Sequence, residues 1–183
     1  MNEISSNNSL FSKYKEEVEQ ILAKYPADFK QSAVMPLLYI AQRDMGYVTR
    51  KAMAEIAEIC GISTTEVASV AGFYSLYYEE PHGKYHIQVC NDLPCAMRGA
   101  DEYLKLVCDY LGVKVGETTT DGLFTVEAVK CLAACHRAPM FQEMQGDRLV
   151  YHEDQTLEKT IAWIEEVRAQ AAVDASTRKG THS

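Results

Sequence analysis

A chain of 183 residues with a net charge of −8, 47% hydrophobic and 24% charged, has the composition of a folded globular protein and not of a disordered one. With 26 acidic residues against 18 basic ones and no Lys/Arg-rich run before the last few positions, it lacks the clustered cations that hold phosphate, which argues against a nucleic-acid partner. Its longest apolar stretch, 33–41, contains Pro36 and is about half of the ~20 residues a bilayer requires, so no direct membrane span is expected.

Residues 1–11 carry Glu3 among several Ser and Asn, with neither a basic nor an apolar targeting pattern. They are expected to be a flexible N-terminus on a cytoplasmic protein. Over 12–25, Tyr14, Val18, Ile21, Leu22 and Tyr25 recur at three and four residues, which predicts a helix that Pro26 ends. A second helix is expected over 33–45, with Pro36 in its first turn and Gly46 as its C-terminal cap. A third covers about 50–60 and stops at Gly61.

Ser63 followed three residues later by Glu66 is a capping box, in which each side chain satisfies an orphan backbone donor, and Ile62 with Val67 completes a hydrophobic staple. Residues 12–80 are therefore expected to form a bundle of short helices. The run Glu79-Glu80-Pro81-His82-Gly83 breaks the helical period and marks a domain boundary.

Beyond it the period becomes extended. Tyr85-His86-Ile87-Gln88-Val89 alternates and ends at Cys90, the pattern of a strand that delivers a cysteine to a loop. Tyr103, Leu104, Val107, Cys108 and Leu111 predict a helix closed by Gly112, and a second strand over 124–129 runs toward Cys131. Gln145-Gly146-Asp147 predicts a hairpin, and Leu157, Ile161, Ile164 and Val167 form the stripe of a last helix. The order predicts a small α/β domain over 84–170, and 171–183 is expected to be a disordered tail.

Six cysteines without a secretory signal point to thiol chemistry or packing in place of a disulfide framework. Cys60 falls in step with Met53 and Ile56, and Cys108 with Leu104 and Leu111, so both are expected to be small buried hydrophobes. The other four, Cys90, Cys95, Cys131 and Cys135, all follow strands. They form Cys-x4-Cys, a gap of 35 residues, and Cys-x3-Cys. Loop thiolates in two pairs suit a 2Fe-2S cluster, each iron taking two; a structural zinc site tolerates the same spacers and stays open on spacing alone. A thioredoxin-type Cys-x2-Cys dithiol is absent.

The surroundings of the four cysteines carry more. Asn91-Asp92-Leu93-Pro94 fills the first pair, Arg98-Gly99 follows it, Gly116-Glu117-Thr118-Thr119 and Asp121-Gly122 precede the second strand, and Ala138-Pro139 follows the last cysteine. In these motifs, over about 32–167, the chain resembles the thioredoxin-like 2Fe-2S ferredoxin subunit of NADH:quinone oxidoreductase, respiratory complex I. The resemblance implies an α+β or α/β fold class, an N-terminal helical bundle followed by a thioredoxin-like 2Fe-2S domain. It implies one 2Fe-2S cluster on Cys90, Cys95, Cys131 and Cys135, with FMN and NADH on a flavin-binding, NADH-oxidising partner subunit. It also implies a place peripheral to the inner membrane beside further complex I subunits.

One departure stands out: the family commonly has Gly where Ala133 lies, and if that position needs a positive φ, Ala strains the loop by ~1 kcal/mol or more. Two ferric ions, two sulfides and four thiolates sum to a charge of about −2, which an electron makes more negative, so nearby donors must offset it. Backbone N–H groups, Lys130, Arg98 and Arg137 act in that direction, and Asp92 acts against it. No catalytic residue is expected, because His82, His86, His136 and His152 are scattered and the chain has no Gly-x-Gly-x-x-Gly or Walker loop. The accessory subunit of a soluble NAD-linked hydrogenase or formate dehydrogenase would share these residues, and a zinc-stabilised interaction module is the alternative from another class.

Overall fold

A computed structural model describes residues 9–146 and 148–180, which form two compact units divided between His82 and Gly83. The first unit is helical: α1 (Leu10–Lys13), α2 (Lys15–Leu22), a 3-10 segment (Ala27–Ala33), α3 (Val34–Met45), α4 (Arg50–Cys60) and α5 (Thr64–Phe73). The single helix expected over 12–25 is broken at Tyr14, whose backbone turns to φ −113°, ψ 26° while its hydroxyl donates to Asp44. Phe11 is buried in the core, so the flexible N-terminus expected over 1–11 does not reach that far; residues 1–8 lie outside the described chain. The helix does end before Pro26, at Leu22, but a 3-10 segment that the sequence pattern does not predict begins directly after Pro26 and leads into α3.

The starts and stops of α4 and α5 follow local chemistry. Thr49 accepts from the Ala52 N–H, and Gly46 and Gly61 close α3 and α4 in the left-handed conformation that glycine adopts without steric cost. Both bonds of the capping box are present, Glu66 N–H to Ser63 Oγ at 3.2 Å and Ser63 N–H to Glu66 Oε2 at 2.8 Å, a motif worth about 1 kcal/mol. Leu37, Leu38, Ile40, Met53, Ile56 and Val67 fill the core beneath.

The second unit contains β1 (Tyr85–Cys90), the one-turn α6 (Leu93–Ala96), α7 (Ala100–Leu111), β2 (Phe124–Val129), β3 (Phe141–Gln145), β4 (Arg148–His152) and α8 (Leu157–Gly180). Its mixed sheet runs β2-β1-β3-β4, with β1 parallel to β2 and the other neighbours antiparallel. Ile87 and Val89 of β1 join Phe124, Phe141, Tyr103, Val107, Leu111 and Ile164 in one core, so α7 and α8 pack with this face of the sheet.

The alternation of β1 does not become an alternation of burial: all six of its residues are buried. A central strand has no edge to expose, and its polar side chains are joined in a hydrogen-bonded row. Gln142 Nε2 donates to Gln88 Oε1 at 2.8 Å, and Gln88 Nε2 donates to Glu127 Oε2 at 3.1 Å. The disordered tail expected from 171 is also corrected, because α8 continues to Gly180. Ala171, Ala172 and Ala175 are strong helix formers, and no Pro or Gly interrupts them before Gly180. Residues 181–183 lie outside the described chain.

Candidate metal centre

The parallel pair β1 and β2 decides where the cysteines meet. Cys90 is the last residue of β1 and stands in register with Val129, the last residue of β2, so the two following loops leave the same end of the sheet side by side. The Asn91 N–H donates to Val129 O at 3.1 Å and continues the ladder into the first loop. There Asp92 precedes the single turn of α6, with Pro94 in its opening positions, where the missing N–H is no loss, and that turn carries Cys95. The second loop passes Cys131 and reaches a 3-10 turn over Cys135–Arg137.

These loops place three of the four predicted thiols near one another and bring the backbone of the fourth, Cys131, to the Cys90 sulfur. The Cys95 thiol lies within hydrogen-bonding reach of both Cys90 and Cys135, and the backbone N–H groups of Asp92, Leu132 and Cys131 point at the Cys90 sulfur. Cys90 and Cys95 are each 1% exposed, Cys135 is half-buried and Cys131 is exposed. Ala100, Ala134, Ala138 and Met140 close an apolar box about the buried pair.

Electrostatics separates the two buried thiols. Burial opposes ionisation of Cys90, yet the N–H donors of Asp92 and Leu132, the Cys95 thiol and the Cys131 N–H together outweigh it and lower the pKa. Cys95 is pushed up to about 12, first by burial and then by its bonds and proximity to Cys90 and Cys135. Among the described residues no three His, Cys, Asp or Glu side chains gather to hold one ion. A two-iron cluster asks for two thiolates at each iron, so the donor set fits it.

The second loop is strained. Cys131 has φ +41° and Ala133 has φ +59°, both in the left-handed region that costs a residue with a Cβ about 1 kcal/mol or more. Position 133 does take a positive φ, so the condition for strain at Ala133 is met. The bend accompanies the delivery of two consecutive N–H groups, those of Cys131 and Leu132, to the Cys90 sulfur.

The nearby cations are held in place. Arg98 Nε donates to Ala138 O at 3.1 Å, Lys130 Nζ donates to Asn91 Oδ1 at 2.8 Å, and Arg137 is paired with Glu153 at 3.1 Å and Asp154 at 2.9 Å. Asn91, which the sequence marks only as part of the Asn91-Asp92-Leu93-Pro94 motif, also donates to Asp101 at 3.1 Å, a role that the motif does not signal. Cys60 and Cys108 lie elsewhere, in the cores of the first unit and of the sheet domain. His82 meets Gly46 O, His86 and His152 face Glu127 and Glu143, and His136 is exposed.

A thioredoxin-like α/β domain with two cysteine loops at one end of a parallel strand pair is the class this fold and site define. Residues 18–168 match the model of the thioredoxin-like [2Fe-2S] ferredoxin family, and the chain belongs to that family.

It is 45% identical over 125 residues to NADH-quinone oxidoreductase subunit 2 of Thermus thermophilus, covering 68% of this chain and 69% of that protein. It is 37% identical over 164 residues to a subunit of the NADH-quinone oxidoreductase of Rhizobium meliloti, covering 90% and 94%. Against the mitochondrial NADH dehydrogenase [ubiquinone] flavoprotein 2 of Dictyostelium discoideum it is 41% identical over 153 residues, 83% of this chain but only 60% of that one. Among solved structures, an NAD+-reducing [NiFe]-hydrogenase in the air-oxidised state shares the fold with a TM-score of 0.62 at 21% identity. The match covers 77% of this chain and 24% of that one.

Proposed function

We propose that this chain holds one 2Fe-2S cluster on Cys90, Cys95, Cys131 and Cys135 and carries electrons within an NADH:quinone oxidoreductase, accepting them from the flavin of a partner subunit. The observation that carries this reading is the convergence of two cysteine loops at one end of the β1–β2 pair, with backbone N–H groups aimed at a buried sulfur. The family membership and the names of the relatives support it.

When bound, the cluster supplies a one-electron couple; the chain's own residues hold and tune it. N–H donors at Cys90 offset negative charge that burial alone would disfavour. The alanine and methionine box keeps water from the Cys90 and Cys95 side, while the exposed Cys131 leaves the other side open to a partner. FMN and NADH belong to that partner. Among the described residues no single helix is long and apolar enough to cross a membrane, and association with the inner membrane comes through the other complex I subunits.

The test is iron and sulfide analysis of the purified chain, with EPR before and after dithionite, repeated for each cysteine changed to Ala. Two irons, two sulfides and an S = 1/2 signal on reduction are expected, weakened or lost in Cys90→Ala, Cys95→Ala, Cys131→Ala and Cys135→Ala and kept in Cys60→Ala and Cys108→Ala. A colourless chain holding one zinc overturns the electron-transfer role. Co-purification with hydrogenase or formate dehydrogenase subunits overturns the assignment to the quinone reductase.

A further inference from the structure

The two loops are tied to each other by a reciprocal exchange of cations. Arg98, three residues after Cys95, sends its Nε–H to the carbonyl of Ala138, three residues after Cys135. Lys130, immediately before Cys131, sends its ammonium to the side-chain oxygen of Asn91 at 2.8 Å and reaches the Asn91 carbonyl at 3.4 Å, immediately after Cys90. Each loop therefore lends one cation to the other, and the two bonds flank the thiols at opposite ends of the sequence they span.

The acceptors distinguish these two cations from their neighbour. Arg137 ends on the carboxylates of Glu153 and Asp154, which cancel its charge locally. Arg98 and Lys130 end on neutral amide oxygens, and among the described residues neither is in an ion pair, so their bonds fix the side chains without neutralising them. A charge-assisted bond of this kind is stronger than a neutral one, and a cation held next to a centre that gains negative charge favours the reduced form.

We propose that Arg98 and Lys130 are positioning residues for the metal centre. They clamp the first cysteine loop to the second, and their un-neutralised charges raise the reduction potential of the group the loops hold. This rests on the ligand assignment proposed above. The opposing view is that both are ordinary surface cations, whose exposed contacts contribute little.

The test uses the full chain with its cluster, shown first by iron, sulfide and EPR in the parent protein, so that failure of the ligand assignment is seen separately. Arg98→Met and Lys130→Met keep an apolar stem of similar reach and remove donor and charge; Arg98→Lys restores the charge on a different head group. The readouts are the midpoint potential from an EPR-monitored titration and the rate of bleaching by a chelator, with far-UV circular dichroism as the fold control.

Both Met variants are expected to lower the potential and to bleach about tenfold faster, the factor that about 1.4 kcal/mol carries, with unchanged helix and sheet signal. Arg98→Lys is expected to return the potential to that of the parent while bleaching faster than it. Potentials and bleaching rates equal to the parent in both Met variants overturn the proposal, and an Arg98→Lys potential as low as that of Arg98→Met overturns the role of charge. Should Arg98→Met fail to assemble, Lys130→Met decides by the same readouts.

Discussion

The hydroxyls of Tyr103 and Thr160 meet at 2.6 Å in the interior of the second unit, joining α7 to α8. Thr160 Oγ1 has one hydrogen and two further oxygens to serve, Gln155 Oε1 and Thr156 O, each at 3.1 Å, so the phenol is the donor. Tyr103→Phe removes that donor and leaves the threonine hydrogen satisfied, at an expected cost of about 1 kcal/mol. Thr160→Val leaves a buried phenol without its acceptor and costs about 1–3 kcal/mol. Urea unfolding of the two variants checks the order; a Tyr103→Phe loss larger than the Thr160→Val loss would contradict it.

Ala133 gives a prediction of opposite sign. Its φ of +59° is one that glycine adopts freely, so Ala133→Gly relieves strain in the loop. The greater freedom of glycine in the unfolded chain offsets part of the gain, and a net stabilisation of up to about 1 kcal/mol is expected. A fall in the unfolding midpoint would show that the loop is not strained at that residue.

Gly83 permits a close approach. A Cβ built there stands 2.7 Å from the carbonyl carbon of Phe124 and 2.9 Å from the backbone of Leu123, and its own N–H donates to Thr125 Oγ1 at 2.6 Å. Backbone cannot swing aside as a flexible side chain can, so Gly83→Ala is expected to destabilise the sheet domain by about 1–3 kcal/mol. Thermal unfolding with an unchanged Tm would refute this.

Asp44 supplies a pH dependence. Its carboxylate is held below its ordinary range chiefly by the bond from Lys13, then by that from Tyr14, with burial acting against both. A depressed carboxylate stabilises the fold above its unfolded pKa, about 3.9, and loses that contribution as the pH falls through the lower folded value. The stability difference between the parent and Asp44→Asn is therefore expected at pH 7 and should shrink below about pH 4. Denaturant midpoints across pH 2–7 measure it, and a gap that widens in acid would reverse the sign.

Cys60 tests packing directly. Burial pushes its thiol up to about 11, so about one molecule in ten thousand carries a thiolate there at pH 7. Iodoacetamide followed by mass spectrometry is expected to leave Cys60 unmodified in the folded chain and to label it once the chain is unfolded. Rapid labelling of the folded protein would mean that α4 opens.

Local rules carry much of the fold into the sequence. The Ser63–Glu66 box, the glycine stops at Gly46 and Gly61, and the Tyr103, Leu104, Val107, Cys108, Leu111 stripe each depend on residues within a few turns of one another, and each is present. The spacing of the four cysteines puts them on two loops that leave the same end of the β1–β2 pair, although it leaves zinc open beside iron. What is illegible depends on distant partners. Burial of Gln88 requires Gln142 and Glu127 from neighbouring strands, and the helical break at Tyr14 accompanies a bond to Asp44. The 3-10 segment after Pro26 and the helix beyond Ala171 escape local rules, because a proline and a polar, alanine-rich stretch each resemble an ending when taken alone.

The register of β1 with β2 has a consequence for how such a centre tolerates change. Because Cys90 and Val129 are neighbours in one hydrogen-bonded ladder, the distance between the cysteine loops is fixed across the sheet and not along the 35 residues between Cys95 and Cys131. The turn over 112–115 joins α7 to residues 116–119, which are hydrogen-bonded along the edge of that ladder. Chains that gain or lose residues there can keep the same spacing of sulfurs, so length variation in this stretch is compatible with an unaltered metal site.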